Sequence, residues 1–243
     1  MVLTSKLNKA RKFIFKTIDL PSLGSKTQGK VRDIYNHQGK RILITTDRIS
    51  AFDRVLGYIP YKGQVLNQLS AFWFQKTSDI VKNHIISVPH PNVSLVYEAK
   101  PYPVEIVVRG YISGVTNTSI WGSYEKGERI IYGIKFPDGL HKNQKLPYPI
   151  VTPTTKAEHG GHDQRLTEKE ILDKKLLSKK VWEEMKEVSI KLYLRGNDIC
   201  RKKGLILVDT KYEFGEYKGK MMLIDEIHTP DSSRYWKKEN YQK

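Results

Sequence analysis

The first hundred residues read mainly as strands. Lys30 to Tyr35 and Arg41 to Thr46 flank Asn36-His37-Gln38-Gly39, a turn-forming cluster, which predicts a hairpin. From Val65 to Ile80 the period changes. Val65, Leu66, Leu69, Phe72, Trp73 and Ile80 recur at helical spacing, as in an amphipathic helix packed on a sheet. Val93 to Ala99 and Val104 to Arg109 return to strand character. Between them Lys100-Pro101-Tyr102-Pro103 is expected to break any regular element, because proline lacks the ladder donor.

The second half is punctuated by loops. PDGLHKNQKLPYPIVTPTTKAEHGGHD is too rich in prolines and glycines for a helix or a central strand, yet dense in charged residues and histidines. Thr167 with Glu170 forms a capping box. Trp182, Met185, Val188, Leu192 and Ile199 make the apolar stripe of a helix ending near Gly204. Strands first, then mixed helix and strand, predict an α+β fold in two lobes: a small antiparallel-sheet lobe over 1–112 and a larger mixed one over 113–243.

The stretch LILVDTKYEFGEYKGKMMLIDE, from Leu205 to Glu226, changes the picture from fold to chemistry. Strand alternation puts Asp209, Lys211 and Glu213 on one face and Thr210, Tyr212 and Phe214 on the other. A hairpin centred near Tyr217 would set Asp225 across from Asp209, an arrangement suited to Mg²⁺ shared with substrate phosphates. A surface ladder screened by Lys211 explains the residues equally well. Gln28-Gly29-Lys30-Val31-Arg32 is either a polyphosphate cradle or an ordinary turn, and it lacks the Walker spacing. TTDRISAFDRVLG carries Asp47, Arg48, Ser50, Asp53 and Arg54 after a buried strand, where they either read a ligand or pair with one another. Asp231-Ser232-Ser233-Arg234 suits a phosphate grip or a helix N-cap. His159 and His162 are separated by glycines, which argues against a zinc helix.

The chain of 243 residues carries 42 Lys+Arg against 26 Asp+Glu, a net charge of +16, and so attracts anions. No apolar run is long enough to span a bilayer and no secretory segment opens the sequence, so a cytoplasmic location is expected. One cysteine, Cys200, leaves no intramolecular disulfide, and it is assigned to packing.

Together, GKVRDIY, DRISAFD, PVEIVVRGYISG, PIVTPTTKAEHGGHD, LVDTKYEFG and IDEIHTPDSSRYW resemble the SAICAR synthetase family (phosphoribosylaminoimidazole-succinocarboxamide synthase) over about Lys26 to Trp236. The resemblance implies a protein-kinase-like, ATP-grasp-related fold with ATP between two lobes. It implies a ligase that joins L-aspartate to the carboxyaminoimidazole ribonucleotide through an acyl phosphate, with ATP and Mg²⁺. Carried over by motif, Gly29, Lys30 and Arg32 lie against the ATP phosphates, and Asp209 and Glu213, with Asp225, form the nucleotide and metal face. Lys211, Lys156, Glu158 and Asp163 line the reaction centre. Arg109, Ser113, Ser232, Ser233 and Arg234 grip the ribonucleotide phosphate, and Ser50 to Asp53 bind the imidazole substrate or aspartate.

One position departs from the family pattern: Val115 follows Ser113-Gly114 where a serine is usual, so Ser113, Thr118 or Ser119 is expected to supply the hydroxyl. The positive charge then needs neither nucleic acid nor membrane as a partner. An RNA-binding protein would show an RNP-like run, and a kinase a His-Arg-Asp or Asp-Phe-Gly run, and neither occurs. The oligomeric state is left open, a homodimer included.

Overall fold

The computed structural model describes residues 5, 8–51, 54–156 and 163–241. The chain divides into two compact units, 1–76 with 83–99, and 77–82 with 100–243.

In the first unit β1 (Lys26–Gln28), β2 (Arg32–His37), β3 (Lys40–Thr45), β6 (Ile85–His90) and β7 (Val93–Tyr97) form an antiparallel sheet in the order β1-β2-β3-β7-β6. The expected hairpin is β2–β3, closed by Gln38-Gly39 with φ of 51° and 69°. Positive φ at both central residues matches the right-handed twist of the flanking strands. A separate ribbon pairs β4 (Arg48–Ala51) with β5 (Arg54–Tyr58). Helix α1 (Lys62–Lys76) packs on β3 and buries Leu66, Trp73 and Phe74, while Val65 and Phe72 of the expected stripe are exposed. It stops before Ile80, where the chain turns with the Ile80 amide donating to the Thr77 carbonyl.

The second unit is built on β8 (Lys100–Tyr111), β11 (Lys145–Thr155), β12 (Leu205–Tyr217) and β13 (Lys220–Ile224), in the order β11-β8-β12-β13. Strand β14 (Ser233–Lys237) shares an edge of β12 with β13: β14 runs along Leu205 to Thr210 and β13 along Glu213 to Tyr217. The chain crossing from β13 to β14 therefore arches over the gap at Lys211 and Tyr212. Smaller elements are α2 (Ile120–Tyr124), the β9–β10 hairpin (Ile130–Ile131, Ile134–Lys135), α3 (Glu168–Asp173) with the expected capping box, and α5 (Lys238–Tyr241). Helix α4 (Lys179–Arg201) packs on β12. Its buried Trp182, Met185 and Leu192 each contribute roughly 1.5–3 kcal/mol of transfer free energy.

Three expectations are corrected. β8 runs straight through Pro101 and Pro103. Its first residues pair only with β12, at Lys100 and Pro101, and β11 joins from Val104 onward, so the prolines occupy a single-sided stretch where a missing donor costs no bond. β11 likewise holds Pro147, Pro149 and Pro153 in a strand at the edge of the sheet, where loop was expected. The division falls at 99/100 and not at 112/113, because β8 is laddered to β11 and β12 and belongs with them. No helix among the described residues is long and apolar enough to cross a membrane.

Candidate active site

Strand β12 lies between β8 and the β13/β14 edge, so Asp209 and Glu213 of its charged face have strand partners on both sides, while Lys211 between them faces the gap on the β13/β14 edge. Asp209 stands opposite Arg109 of β8 and opposite Arg234 of β14. Arg109 Nη1 donates to Asp209 Oδ2 at 3.1 Å, and Arg234 Nε to Oδ1 at 2.9 Å, with its Nη2 on Oδ2 as well. Arg109 is buried and also donates from Nε to Thr152 Oγ1 (3.0 Å) and from Nη2 to the Thr118 carbonyl (3.1 Å). Arg234 is the outer member, with 41 % of its side chain exposed. A carboxylate that accepts from two guanidiniums fixes both in orientation.

Two residues further along the same face, Lys211 Nζ donates to Glu105 Oε1 at 3.1 Å and to Glu213 Oε1 at 2.5 Å. Lys156 at the end of β11 donates to the other oxygen, Glu213 Oε2. Glu105 and Glu213 are both buried and directly opposite in the ladder, a repulsive pairing that only the lysine between them makes tolerable. Burial, then the Glu213 charge, pushes the Glu105 carboxyl up to about 7 against the pull of Lys211. Burial alone would lower the Lys211 ammonium, but Glu213, Asp225 and Glu105 outweigh it and hold it well above the usual lysine range.

Glu105 is the residue that motif reading missed. A signal was present: it is the single acid in the apolar run of Val104 to Val108, and alternation sets it on the same face as Arg109.

The expected facing of Asp209 and Asp225 is overturned. The hairpin turns at Lys218-Gly219, with φ of 51° and 72°, and pairs Glu213 with Ile224. That is a two-residue turn with both central residues left-handed, and it slides the returning strand so that Asp225 falls past the end of β13. Asp225 still acts electrostatically on Lys211. The residues also fit a magnesium cage poorly. Both oxygens of Asp209 are engaged by arginines and both of Glu213 by lysines. Among the described residues no group of three or more His, Cys, Asp or Glu side chains could hold a metal ion.

Around Arg234 the loop from Gly114 to Ser119 comes close. A Cβ on Gly114 would meet the Arg234 guanidinium at 2.9 Å, and its φ is 90°, so glycine is required on both counts. Of the three candidate hydroxyls, Ser119 Oγ is spent as the N-cap of α2 and Ser113 Oγ donates to Asn143 Oδ1 at 3.0 Å. Thr118 is half-buried, its hydroxyl 3.5 Å from that of Thr116. Ser233 Oγ donates to Thr210 Oγ1 (2.8 Å), and Ser232 accepts at its carbonyl from the Lys211 amide (2.9 Å). Asp231 to Arg234 leads from a turn into β14, so the N-cap alternative does not apply.

The first unit holds the named residues from Gly29 to Ser50. Gly29, Lys30 and Arg32 form the β1–β2 turn, closed by the Gly29 amide donating to the Arg32 carbonyl at 2.8 Å. Beneath it Arg48 Nη2 donates to Asp33 Oδ1 (2.9 Å) and to the Gly29 carbonyl (3.2 Å), with both side chains buried. Burial raises the Asp33 pKa, but hydrogen bonds from Thr17, the Ile18 amide and Arg48 outweigh it and leave it lowered. Asp47 accepts from the amides of Phe15, Tyr61 and Gly63 at the start of α1. Asp47 and Arg48 thus do structural work and pair with neither each other nor solvent. Ser50 is half-buried in β4. Asp53, Glu158, His159 and His162 lie outside the described residues, and Asp163 is exposed. Much of the basic surface along α3 and α4 is paired, as in Lys169–Asp173, Lys186–Glu168, Lys191–Glu187 and Lys202–Asp198, which gives it little to offer a polyanion.

Guanidiniums aimed by a buried carboxylate, beside ammoniums held by a second one, suit oxyanions, and the class so defined is an enzyme of phosphorylated, carboxylate-bearing substrates. The comparisons agree. Residues 25–243 match the family SAICAR synthetase. The chain is 52 % identical over 231 residues to the phosphoribosylaminoimidazole-succinocarboxamide synthase of Legionella pneumophila, covering 95 % of this chain and 73 % of that one. It is similar in structure to the SAICAR synthase of Saccharomyces cerevisiae complexed with SAICAR, with a TM-score of 0.81 and 33 % identity over 93 % of this chain and 81 % of that one. A type-2 SAICAR synthetase in complex with ADP superposes with a TM-score of 0.75 at 28 % identity, over 89 % and 86 % of the two chains. The chain belongs to the SAICAR synthetase family. It is an ATP-dependent carbon–nitrogen ligase of purine biosynthesis, joining L-aspartate to the carboxyaminoimidazole ribonucleotide to give SAICAR, ADP and phosphate.

Proposed function

We propose that the two halves of the β12 face divide the ligase reaction between them. Arg234, oriented by Asp209 and backed by Arg109, binds the ribonucleotide phosphate together with Ser233, the Thr118 hydroxyl and the loop at Gly114. Lys211 and Lys156, gathered by Glu213, neutralise the reacting carboxylate. The observation that carries this reading is the common face: Arg109, Asp209 and Arg234 form one row across the sheet, and Lys211 and then Glu213, with Glu105 opposite it, follow along the same face.

The chemistry follows from those charges. A carboxylate is a poor electrophile, so one of its oxygens attacks the γ-phosphorus of ATP and ADP departs. The aspartate amine then attacks the acyl carbon, and phosphate leaves carrying the former carboxylate oxygen while the nitrogen gives up its proton. Both steps gather negative charge on oxygen, and preorganised cations stabilise it without reorganising. An ammonium has three N–H donors, and Lys211 gives two of them to Glu105 and Glu213, which leaves one for the substrate.

Gly29, Lys30 and Arg32 contact the nucleotide phosphates, and the buried Asp33–Arg48 pair holds their turn by the Gly29 carbonyl. Ser50 with Asp53, and Glu158 with Asp163, are assigned to the remaining substrate contacts by motif. Mg²⁺ enters this reading through the nucleotide's own phosphates and not through a cage of Asp209, Glu213 and Asp225. A kinase-like, ATP-grasp-related fold and a cytoplasmic location complete the proposal.

Ribonucleotide labelled with ¹⁸O in both carboxylate oxygens tests the reaction course. Transfer of one labelled oxygen to inorganic phosphate per SAICAR formed is expected, and phosphate free of label would overturn it.

A further inference from the structure

The arch between β13 and β14 is eight residues of irregular chain, from Asp225 to Ser232, whose far end delivers Ser233 and Arg234. Its centre is His228, fully buried, with a φ of 53° that is uncommon for a residue bearing a side chain. Its Nε2 lies 2.6 Å from the hydroxyl of Tyr212, which is also fully buried and points from the face of β12 opposite to Lys211. Its carbonyl accepts from the Tyr235 hydroxyl at 2.5 Å. On the helix side the imidazole lies against Gly196 of α4, where an added Cβ would meet the ring Cε1 at 2.6 Å. One residue is thus gripped from three elements, its side chain by β12 and α4 and its backbone carbonyl by β14. Burial pushes the imidazole down to about 3, so it is neutral at any working pH and the grip is a neutral hydrogen bond in a close-packed slot.

We propose that the Tyr212–His228 pair is a positioning device for ribonucleotide binding: it pins the arch over the gap in the β12 edge and thereby sets Arg234 and Ser233 against the substrate phosphate. The placement on either side of the pin supports this. Beyond His228 the arch is stitched by the Thr229 amide donating to Ser232 Oγ (3.2 Å). It then returns to β12 through the Lys211 amide on the Ser232 carbonyl (2.9 Å) and reaches Asp209 through Arg234. Tyr212 sits between Lys211 and Glu213 in sequence but on the reverse face, so it acts through the backbone and touches no substrate. The inference rests on the assignment of Arg234 to the ribonucleotide phosphate.

The test compares Tyr212→Phe, which deletes one hydroxyl and keeps the ring, with Arg234→Gln. The ribonucleotide KM in Tyr212→Phe is expected to rise about five- to tenfold, as for loss of one well-made buried hydrogen bond. The KM values for ATP and aspartate stay unchanged, and amide hydrogen exchange speeds up over 226–233. Arg234→Gln is expected to raise the same KM further. If Arg234→Gln raises it and Tyr212→Phe does not, the pin is overturned. If Tyr212→Phe raises all three KM values together with a fall in Tm, its role is structural and the proposal fails. If Arg234→Gln leaves the ribonucleotide KM unchanged, the assignment of Arg234 is wrong, and faster exchange in Tyr212→Phe would then mark a pin that positions nothing.

Discussion

Asp209 and Glu213 stand four residues apart on one face of one strand, and each collects two cations, but the cations differ in kind. Asp209 takes two guanidiniums, one of them buried, in planar charge-assisted contacts. Glu213 takes two ammoniums, one with 32 % and the other with 40 % of its side chain exposed, and faces a second buried acid across the ladder. The first cluster sets one carboxylate against two guanidiniums, so it is fixed by its hydrogen bonds and keeps one positive charge in excess. The second is frustrated, two carboxylates and two lysines in which proton and charge can be rearranged when substrate arrives. A fixed cluster suits binding of an inert phosphate; an adaptable one suits bond making.

The largest expected effect falls on the adaptable cluster. Lys211→Met should lower kcat by about a thousandfold, in the range for removing one preorganised charge stabiliser, and leave the ribonucleotide KM nearly unchanged; pre-steady-state and steady-state turnover measure both. A comparable loss in KM alone would break the division of labour. Asp209→Asn should raise the ribonucleotide KM and also cost about 3–5 kcal/mol of stability in urea unfolding, because it leaves a buried Arg109 without its carboxylate. Glu213→Gln should cost clearly less, since its lysines can turn to solvent.

Glu105→Gln gives a smaller effect and one of definite sign. A carboxyl raised to about 7 in the fold binds more protons there than in the unfolded chain, so its contribution is favourable at low pH and is lost as pH rises from about 4.5 through about 7. Relative to Glu105→Gln, the natural protein should lose stability across that window by on the order of 2 kcal/mol. A difference that is flat with pH would place the frustration elsewhere. The smallest effect belongs to the exposed Lys191–Glu187 pair of α4, where Lys191→Ala should shift stability by less than about 0.5 kcal/mol and leave every kinetic constant alone.

Much of the face was legible because strand alternation is strict: Asp209, Lys211 and Glu213 share a side as their spacing predicts. Register was not legible, since it depended on the turn. A centre near Tyr217 and the actual Lys218-Gly219 turn differ little in sequence, yet that difference carries Asp225 beyond its expected partner. Glu105 escaped because its meaning is non-local, and only the β8–β12 ladder brings it to Glu213. Prolines misled for the same reason: whether Pro101 or Pro149 breaks a strand depends on whether a neighbour asks for its missing donor, which sequence does not state. In DRISAFD the acids and arginine looked ready for a ligand, but Asp47 caps a helix and Arg48 supports the Gly29 turn.

The most direct test of the division is the affinity of three proteins, natural, Arg234→Gln and Lys211→Met, for the ribonucleotide and for the same molecule lacking its phosphate. The account predicts that Arg234→Gln weakens the ribonucleotide by about tenfold or more and leaves the dephosphorylated compound unaffected, as expected when a charge-assisted contact to the phosphate is removed. Lys211→Met should leave both affinities nearly unchanged. Equal losses for the two ligands in Arg234→Gln would contradict it.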